Sequence, residues 1–322
     1  MKKILFLFAT LLTSMPMLAV EANTVEVAYN GTSATVTIAD NVASYVTATT
    51  NGAHVTIVQT NTALIDGLEI TYVLSGTSTN GEFYLTGSYK CTISLNGLTL
   101  TNPSGAAISI YNGKRIKVKA ESDTENTLVD GSGSQKGCLY VKGHLELRGY
   151  GTLNVTGNYA HAIKSGEYMS IKNMTLNVLS SVKDGMNCNE YFLMEGGTVN
   201  ITNAGDDGIQ CDIDNTAGTP IAATDDEHTD EDTGNFYQTD GTLTITLASS
   251  SEGSLIKAAG TESHTGGTYN GTEYTGIETP QTVIPSKKMP VYDLYGRPVS
   301  QMSTPGIYIT NNNGKTIKTI VK

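Results

Sequence analysis

Two Asp-Gly turns hold the residues best able to do chemistry: Asp184-Gly185 and Asp206-Asp207-Gly208. Each precedes an apolar residue, Met186 or Ile209, and the two stand 23 residues apart. Ala162-Ile163 keeps the same beat one step earlier. Two places before the apolar residue, successive loops read Gly137, His161, Asp184, Asp207 and Ser254. One place earlier they read Lys136, Ala160, Lys183 and Asp206; three places after it stand Asn189 and Asp212. If the beat stacks these loops, Asp184 and Asp207 lie one layer apart, with Asp206 and Asp212 nearby. Such carboxylates repel unless a cation bridges them or one is protonated. Calcium takes about six to eight oxygen ligands from carboxylates, amides, carbonyls and water. Asp184, Asp206, Asp207, Asn189 and Asp212 are therefore candidate metal ligands. The competing reading is local: Asp-Gly suits a tight turn, where Gly supplies a positive φ and Asp caps its own backbone. No Cys/His spacing suits zinc. No Ser-His-Asp pattern, phosphate loop or paired-carboxylate glycosidase signature is present.

Beside these turns runs a polar column. Lys164 and Lys257 share the phase of Ser109, Tyr140, Asn187 and Gln210. A lysine next to bound calcium could pair with a uronate carboxylate; it could equally be a solvated lysine on a strand. The candidate ligand-binding residues are Lys164, Lys183, Asn187, Gln210 and Lys257. His161 reads as a satisfied turn histidine rather than a ligand.

The elements that must position these residues are short strands. Gly151-Thr152-Leu153-Asn154-Val155 returns as Met174-Thr175-Leu176-Asn177-Val178 and as Gly197-Thr198-Val199-Asn200-Ile201, again 23 residues apart. A fixed period carrying several short strands is the mark of a solenoid, whose turns bury their apolar sides on each other. Leu, Val and Ile alternate inward while Thr and Asn point outward. Stacked strands lie about 4.8 Å apart, so identical residues form ladders. The fold class is all-β: a single-stranded right-handed parallel β-helix with a small C-terminal β module. A β-sandwich is the rival, but it gives two motifs no reason to hold one phase. Cys188 and Cys211 share a phase and point inward, as stacked thiols ill placed for a disulfide.

Met1 to Ala22 has a basic start, an apolar run and a small-residue cleavage site, and reads as a secretory signal peptide. Residues 23–68 form an N-terminal β segment, and 69–260 the β-helix. Within it, roughly 215–234 is an insertion with the run Asp225-Asp226-Glu227-His228-Thr229-Asp230-Glu231-Asp232, read as a solvated loop or a cation-binding arm. Residues 261–286 are a Gly/Thr-rich linker. Residues 287–322 are net positive, with two short strands at Val291-Tyr292-Asp293-Leu294 and Gly306-Ile307-Tyr308-Ile309. The whole chain carries a formal charge of −11. That surface repels nucleic acid and anionic lipid, and any acidic polysaccharide not joined to it by a cation.

Several separated motifs resemble one family. They are Tyr72-Val73-Leu74-Ser75-Gly76-Thr77, Asn96-Gly97 with Ala106-Ala107-Ile108, Gly157-Asn158-Tyr159-Ala160-His161-Ala162-Ile163, Lys183-Asp184-Gly185 and Gly205-Asp206-Asp207-Gly208-Ile209. Together they resemble bacterial surface carbohydrate-binding proteins with a calcium-binding parallel β-helix, related in fold to family 9 pectate lyases. The resemblance implies polygalacturonate as ligand and calcium held best by Asp184, Asp206 and Asp207. Residues 291–299, 306–309 and 314–315 resemble the C-terminal sorting domain of type IX secretion substrates in Bacteroidetes. That implies the type IX machinery as partner and export across the outer membrane. The leading expectation is a secreted, calcium-dependent binder of acidic polysaccharide at the cell surface. A polysaccharide lyase using Lys183 or Lys164 as base is the alternative, and a structural adhesin is the third reading.

Overall fold

The computed structural model describes residues 20–213, 232–275, 291–295, 297–299, 302, 305–312 and 315–321. Most of the expected signal peptide, residues 225–231 of the acidic run, residues 276–286 of the expected linker and 287–290 of the expected sorting domain lie outside the described residues.

The described part of residues 20–272 is a parallel β-solenoid with three strand-bearing faces. The threonine face stacks Glu125–Asp130, Thr152–Gly157 and Thr175–Ser181 in parallel. The site face stacks Gly137–Val141, His161–Ser165, Met186–Cys188, Ile209–Cys211 and Ile256–Ala258. The third face stacks Ile116–Ala120, Leu145–Gly149 and Met169–Lys172. Long strands Cys91–Asn102, Phe192–Ala204 and Phe236–Leu247 run through both the third and the threonine faces.

The 23-residue beat sets this register. Thr152 lies opposite Thr175 and Thr175 opposite Thr198; Asn154, Asn177 and Asn200 follow suit. The asparagines form an amide ladder: Asn177 Nδ2 donates to Asn154 Oδ1 at 2.8 Å, and Asn200 Nδ2 to Asn177 Oδ1 at 2.9 Å. Between these outward residues, Leu153, Leu176 and Val199, then Val155, Val178 and Ile201, are fully buried. Ile163, Met186 and Ile209 make the matching inward column on the site face. Each buried aliphatic side chain contributes about 1.5–3 kcal/mol, which is why the beat survives variation on the outside. Phe192 and Phe236 add a flat stack inside, 5.2 Å between centroids at 5°. Cys188 and Cys211 are in register, buried and not disulfide-bonded.

The N-terminal segment starts the stack. Thr24–Asn30 pairs parallel with Ile70–Ser78, and Ala53–Gln59 with Gly81–Thr86. Their partners Ser33–Ile38 and Val46–Asn51 add on antiparallel. The reversed strands end the parallel run. The stack also continues past Gly260: Glu262–His264 and Gly267–Tyr269 pair parallel with Phe236–Leu247. This stretch, expected as linker, thus carries strands.

The C-terminal unit holds a separate antiparallel sheet of four strands. Val291–Asp293 and Gly306–Asn312 fall on the two expected strands, joined by Pro298–Val299 and Lys315–Val321. Asp293 fixes its turn by accepting the N–H groups of Tyr295 and Arg297, both at 2.9 Å.

Candidate functional site

The site face carries the outward column Tyr84, Ser109, Tyr140, Lys164, Asn187, Gln210 and Lys257, each in register with the next. Gln210 and Lys257 are neighbours even though the insertion separates them in sequence. At the N-terminal edge of this face His161, Asp184, Asp207 and Ser254 come together from successive turns.

Asp184 and Asp207 are almost fully buried, at 1% exposure each, while Asp206 is exposed. One oxygen from each of the three lies within 4.8 Å of the others. The buried pair does not cap its own turns. Asp184 Oδ1 accepts the Asp207 N–H at 3.3 Å, and Asp207 Oδ1 accepts the Ser254 N–H at 2.7 Å. Each carboxylate therefore ties its turn to the next. The glycines after them do not supply a positive φ, as the turn reading held. They are needed for space. A Cβ on Gly185 would sit 2.6 Å from Ile201 Cγ2, and one on Gly208 2.4 Å from Ile245 Cγ2 and 2.5 Å from the Leu255 carbonyl.

The second oxygens carry the site's charge chemistry. Asp184 Oδ2 accepts Asn187 Nδ2 at 2.7 Å, and His161 Nδ1 lies 3.2 Å away. Burial opposes the charge on Asp184, but His161, Asn187 and the Asp207 N–H outweigh it and hold its pKa below the usual carboxylate range. Asp207 Oδ2 pairs with Lys257 Nζ at 3.0 Å. That hydrogen bond raises the Lys257 pKa, and the charges of Asp207, Asp206 and Asp184 add to it. The half-exposed Lys257 ammonium thus feels all three carboxylates.

Asn187 joins this cluster to Lys164. While its Nδ2 serves Asp184, its Oδ1 accepts the Lys164 Nζ, which also donates to Asn189 Oδ1. Lys164 is only 9% exposed, and burial pushes its pKa down. Gln210 Nε2 donates to Asp212 Oδ1 at 2.7 Å. Asn189 and Asp212 therefore serve the lysine and the glutamine of the column rather than the acidic trio. Lys183 is exposed; its carbonyl accepts the N–H groups of Gly205 and Asp206.

The sequence brought Asp184, Asp206, Asp207, Lys164, Asn187, Gln210 and Lys257 to one face, and the structure places them there. His161, expected as a satisfied turn histidine, faces Asp184 directly. The signal was present, because His161 holds the phase of Asp184 and Asp207. Nothing in the spacing showed that Lys164 would be sunk between two amides.

A family model described as carbohydrate-binding domain-containing protein matches residues 51–289. A carbohydrate-binding domain-containing protein of Acetivibrio thermocellus is 23% identical over 111 residues, 31% of this chain. The match spans 39% of that relative's length. Among solved structures, the gadolinium derivative of the polysaccharide lyase-like protein from C. thermocellum superposes with a TM-score of 0.55 at 19% identity. The likeness covers 75% of this chain and 96% of that one, and it concerns the fold.

Proposed function

Since this chain belongs to the carbohydrate-binding domain family, we propose that its site face binds an acidic, polygalacturonate- or pectin-like polysaccharide with calcium at the Asp184–Asp206–Asp207 cluster. The observation that carries the reading is the column Lys164–Asn187–Gln210–Lys257 lying in register beside that cluster. An anionic chain meets a protein of charge −11. It needs local positive charge, which the lysines and a divalent cation would supply.

The donor set fits a hard cation. Asp184, Asp206 and Asp207 offer only oxygen, and Lys257 already puts a positive charge where all three act on it. Its side chain is 54% exposed, so it can leave when a cation arrives. Calcium there would neutralise the carboxylates and present positive charge to a uronate. The test is binding to polygalacturonate by affinity electrophoresis, with calcium and then with chelator. Retention with calcium that chelator abolishes is the expected result. Equal retention in both conditions would remove calcium from the reading, and no retention would remove the acidic ligand.

One observation favours a lyase as second reading. Burial lowers the Lys164 pKa, as a catalytic base near neutral pH requires. Against it, Lys164 donates to two amide oxygens, which hold the protonated form. Growth of unsaturated-uronide absorbance, lost in Lys164→Ala, would establish the lyase.

For residues 287–322 the reading is a type IX sorting domain that delivers the protein across the outer membrane. Its small antiparallel sheet suits a detachable module. Deleting 287–322 should leave the protein in the periplasm; unchanged surface display would exclude this role.

A further inference from the structure

The site face does not end at Lys164. On the next turns toward the N-terminal end, the column continues as Tyr140, Ser109 and Tyr84. Tyr111, two residues after Ser109 on the same strand, leaves the same face and fits between the two tyrosines. Its ring centroid is 5.4 Å from Tyr84 and 5.3 Å from Tyr140. Tyr140 is nearly buried, with Lys136 Nζ 5.5 Å from its centroid. Tyr84 is half-buried, and Tyr111 is 45% exposed. The three rings thus form a graded cluster: a packed base at Tyr140 and an open ring at Tyr111.

This arrangement needs a reason. The core is filled from the other side by Phe83, Ile108 and Leu139, all fully buried. The tyrosines therefore add little to the interior. A contiguous aromatic cluster on a polar, acidic surface is an informative exposure, unlike a lone apolar residue. An aromatic face is electronegative and apolar, while a tyrosine hydroxyl gives a donor and an acceptor at its rim. A pyranose ring has the matching parts: a face of polarised C–H bonds and an equator of hydroxyls. From Tyr84 to Lys257 the column takes six steps of about 4.8 Å, roughly 29 Å. That is room for a chain of several sugars along the solenoid axis.

We propose that Tyr84, Tyr111 and Tyr140 form a stacking subsite for a pyranose ring, extending the saccharide path from Lys164 toward the N-terminal end. This rests on the carbohydrate reading of the site face, though not on calcium or on a uronate. The cluster would hold a sugar by its ring, so it acts on charged and neutral chains alike. A second protein copy is the competing occupant. Continuity with the Lys164 column favours the sugar.

The experiment compares wild type, Tyr111→Ala, Tyr84→Ala, Lys257→Ala and Tyr150→Ala on polygalacturonate and on neutral galactan. Tyr150 is 74% exposed, in the turn before Thr152–Gly157, away from this face, and serves as control. Removing an aromatic contact of this kind weakens binding by about two- to tenfold. We expect that loss for Tyr111→Ala on whichever polymer the wild type retains, with Tyr150→Ala unchanged. Loss in Lys257→Ala with Tyr111→Ala unaffected would overturn the stacking subsite alone. Loss in Tyr111→Ala with Lys257→Ala unaffected would keep the subsite and reject the charged column. If the wild type retains neither polymer, the subsite falls with the carbohydrate reading. A change of oligomeric state in Tyr111→Ala, with sugar binding intact, would assign the patch to self-association and overturn the proposal.

Discussion

Asp207→Asn separates what the acidic cluster does for the fold from what it would do for a metal. The buried Oδ1 that accepts the Ser254 N–H at 2.7 Å survives as the amide oxygen. The lost interaction is the pair with Lys257 at 3.0 Å, whose lysine is more than half exposed. The lysine stays solvated after the change and the buried carboxylate charge leaves with the pair, so its desolvation cost is removed too and the net loss is about 1 kcal/mol. In chelator the variant should therefore melt within a few degrees of wild type. Calcium at a hundred times its dissociation constant stabilises a protein that binds it only when folded by about 2.7 kcal/mol. For a chain of 322 residues, at about 2.1 cal/mol/K of unfolding entropy per residue, that is a rise in Tm of about 4 °C. Wild type should show the rise and Asp207→Asn should not. Asp184→Ala makes the contrast, because it strands Asn187 Nδ2 and the Asp207 N–H. Each buried unpaired donor costs about 1–3 kcal/mol, so this variant should be destabilised even in chelator. The assay is differential scanning fluorimetry across a calcium titration. A full calcium-induced rise in Asp207→Asn would refute the cluster as the cation site.

Three further outcomes follow from the packing and charges. Gly208→Ala places a methyl 2.4 Å from Ile245 and should cost about 1–3 kcal/mol in urea unfolding. Asn177→Ala, at the middle of the amide ladder, breaks two hydrogen bonds and should cost about 1–3 kcal/mol by the same measurement. Acid should destabilise the fold through Asp184. Its folded pKa is depressed, so the unfolded chain binds more protons; its contribution is full above the ordinary aspartate value of about 3.9 and fades as pH falls through the folded pKa. Asp184→Asn should flatten that part of the stability–pH curve, and an unchanged curve would show that other groups govern it.

The part of the fold legible in sequence is the part with an even beat. From Thr152 to Ile209 every turn has the same length, so Thr, Asn and the inward aliphatics could be aligned by counting. Before Lys164 the turns differ in length. Tyr84, Ser109 and Tyr140 stand in one column, yet 25 and then 31 residues separate them. Counting could not assemble the tyrosine cluster, and Tyr111 lies off the column. The strands of 262–269 were hidden because Gly and Thr dominate there and few apolar residues mark an inward side. Counting also yields neighbours without saying which atoms meet. It placed Lys164 beside Asn187, but the burial of its ammonium depends on Asn189 from the next turn.

That difference between even and uneven columns bears on where a ligand would act. The asparagine column repeats one residue, and an amide has a donor and an acceptor, so each member satisfies the next and the ladder closes on itself. The column His161–Asp184–Asp207–Ser254 cannot close that way. Two carboxylates in succession have acceptors only, and they take donors from the backbone, Asn187 and Lys257, with the His161 ring 3.2 Å from Asp184. Lys257 is the half-exposed one among these donors. Where the asparagine column is closed by repetition, the break in repetition here leaves acceptors whose charge only non-repeating donors meet. The site is expected there because the repeat changes at that point, a reason independent of any family likeness.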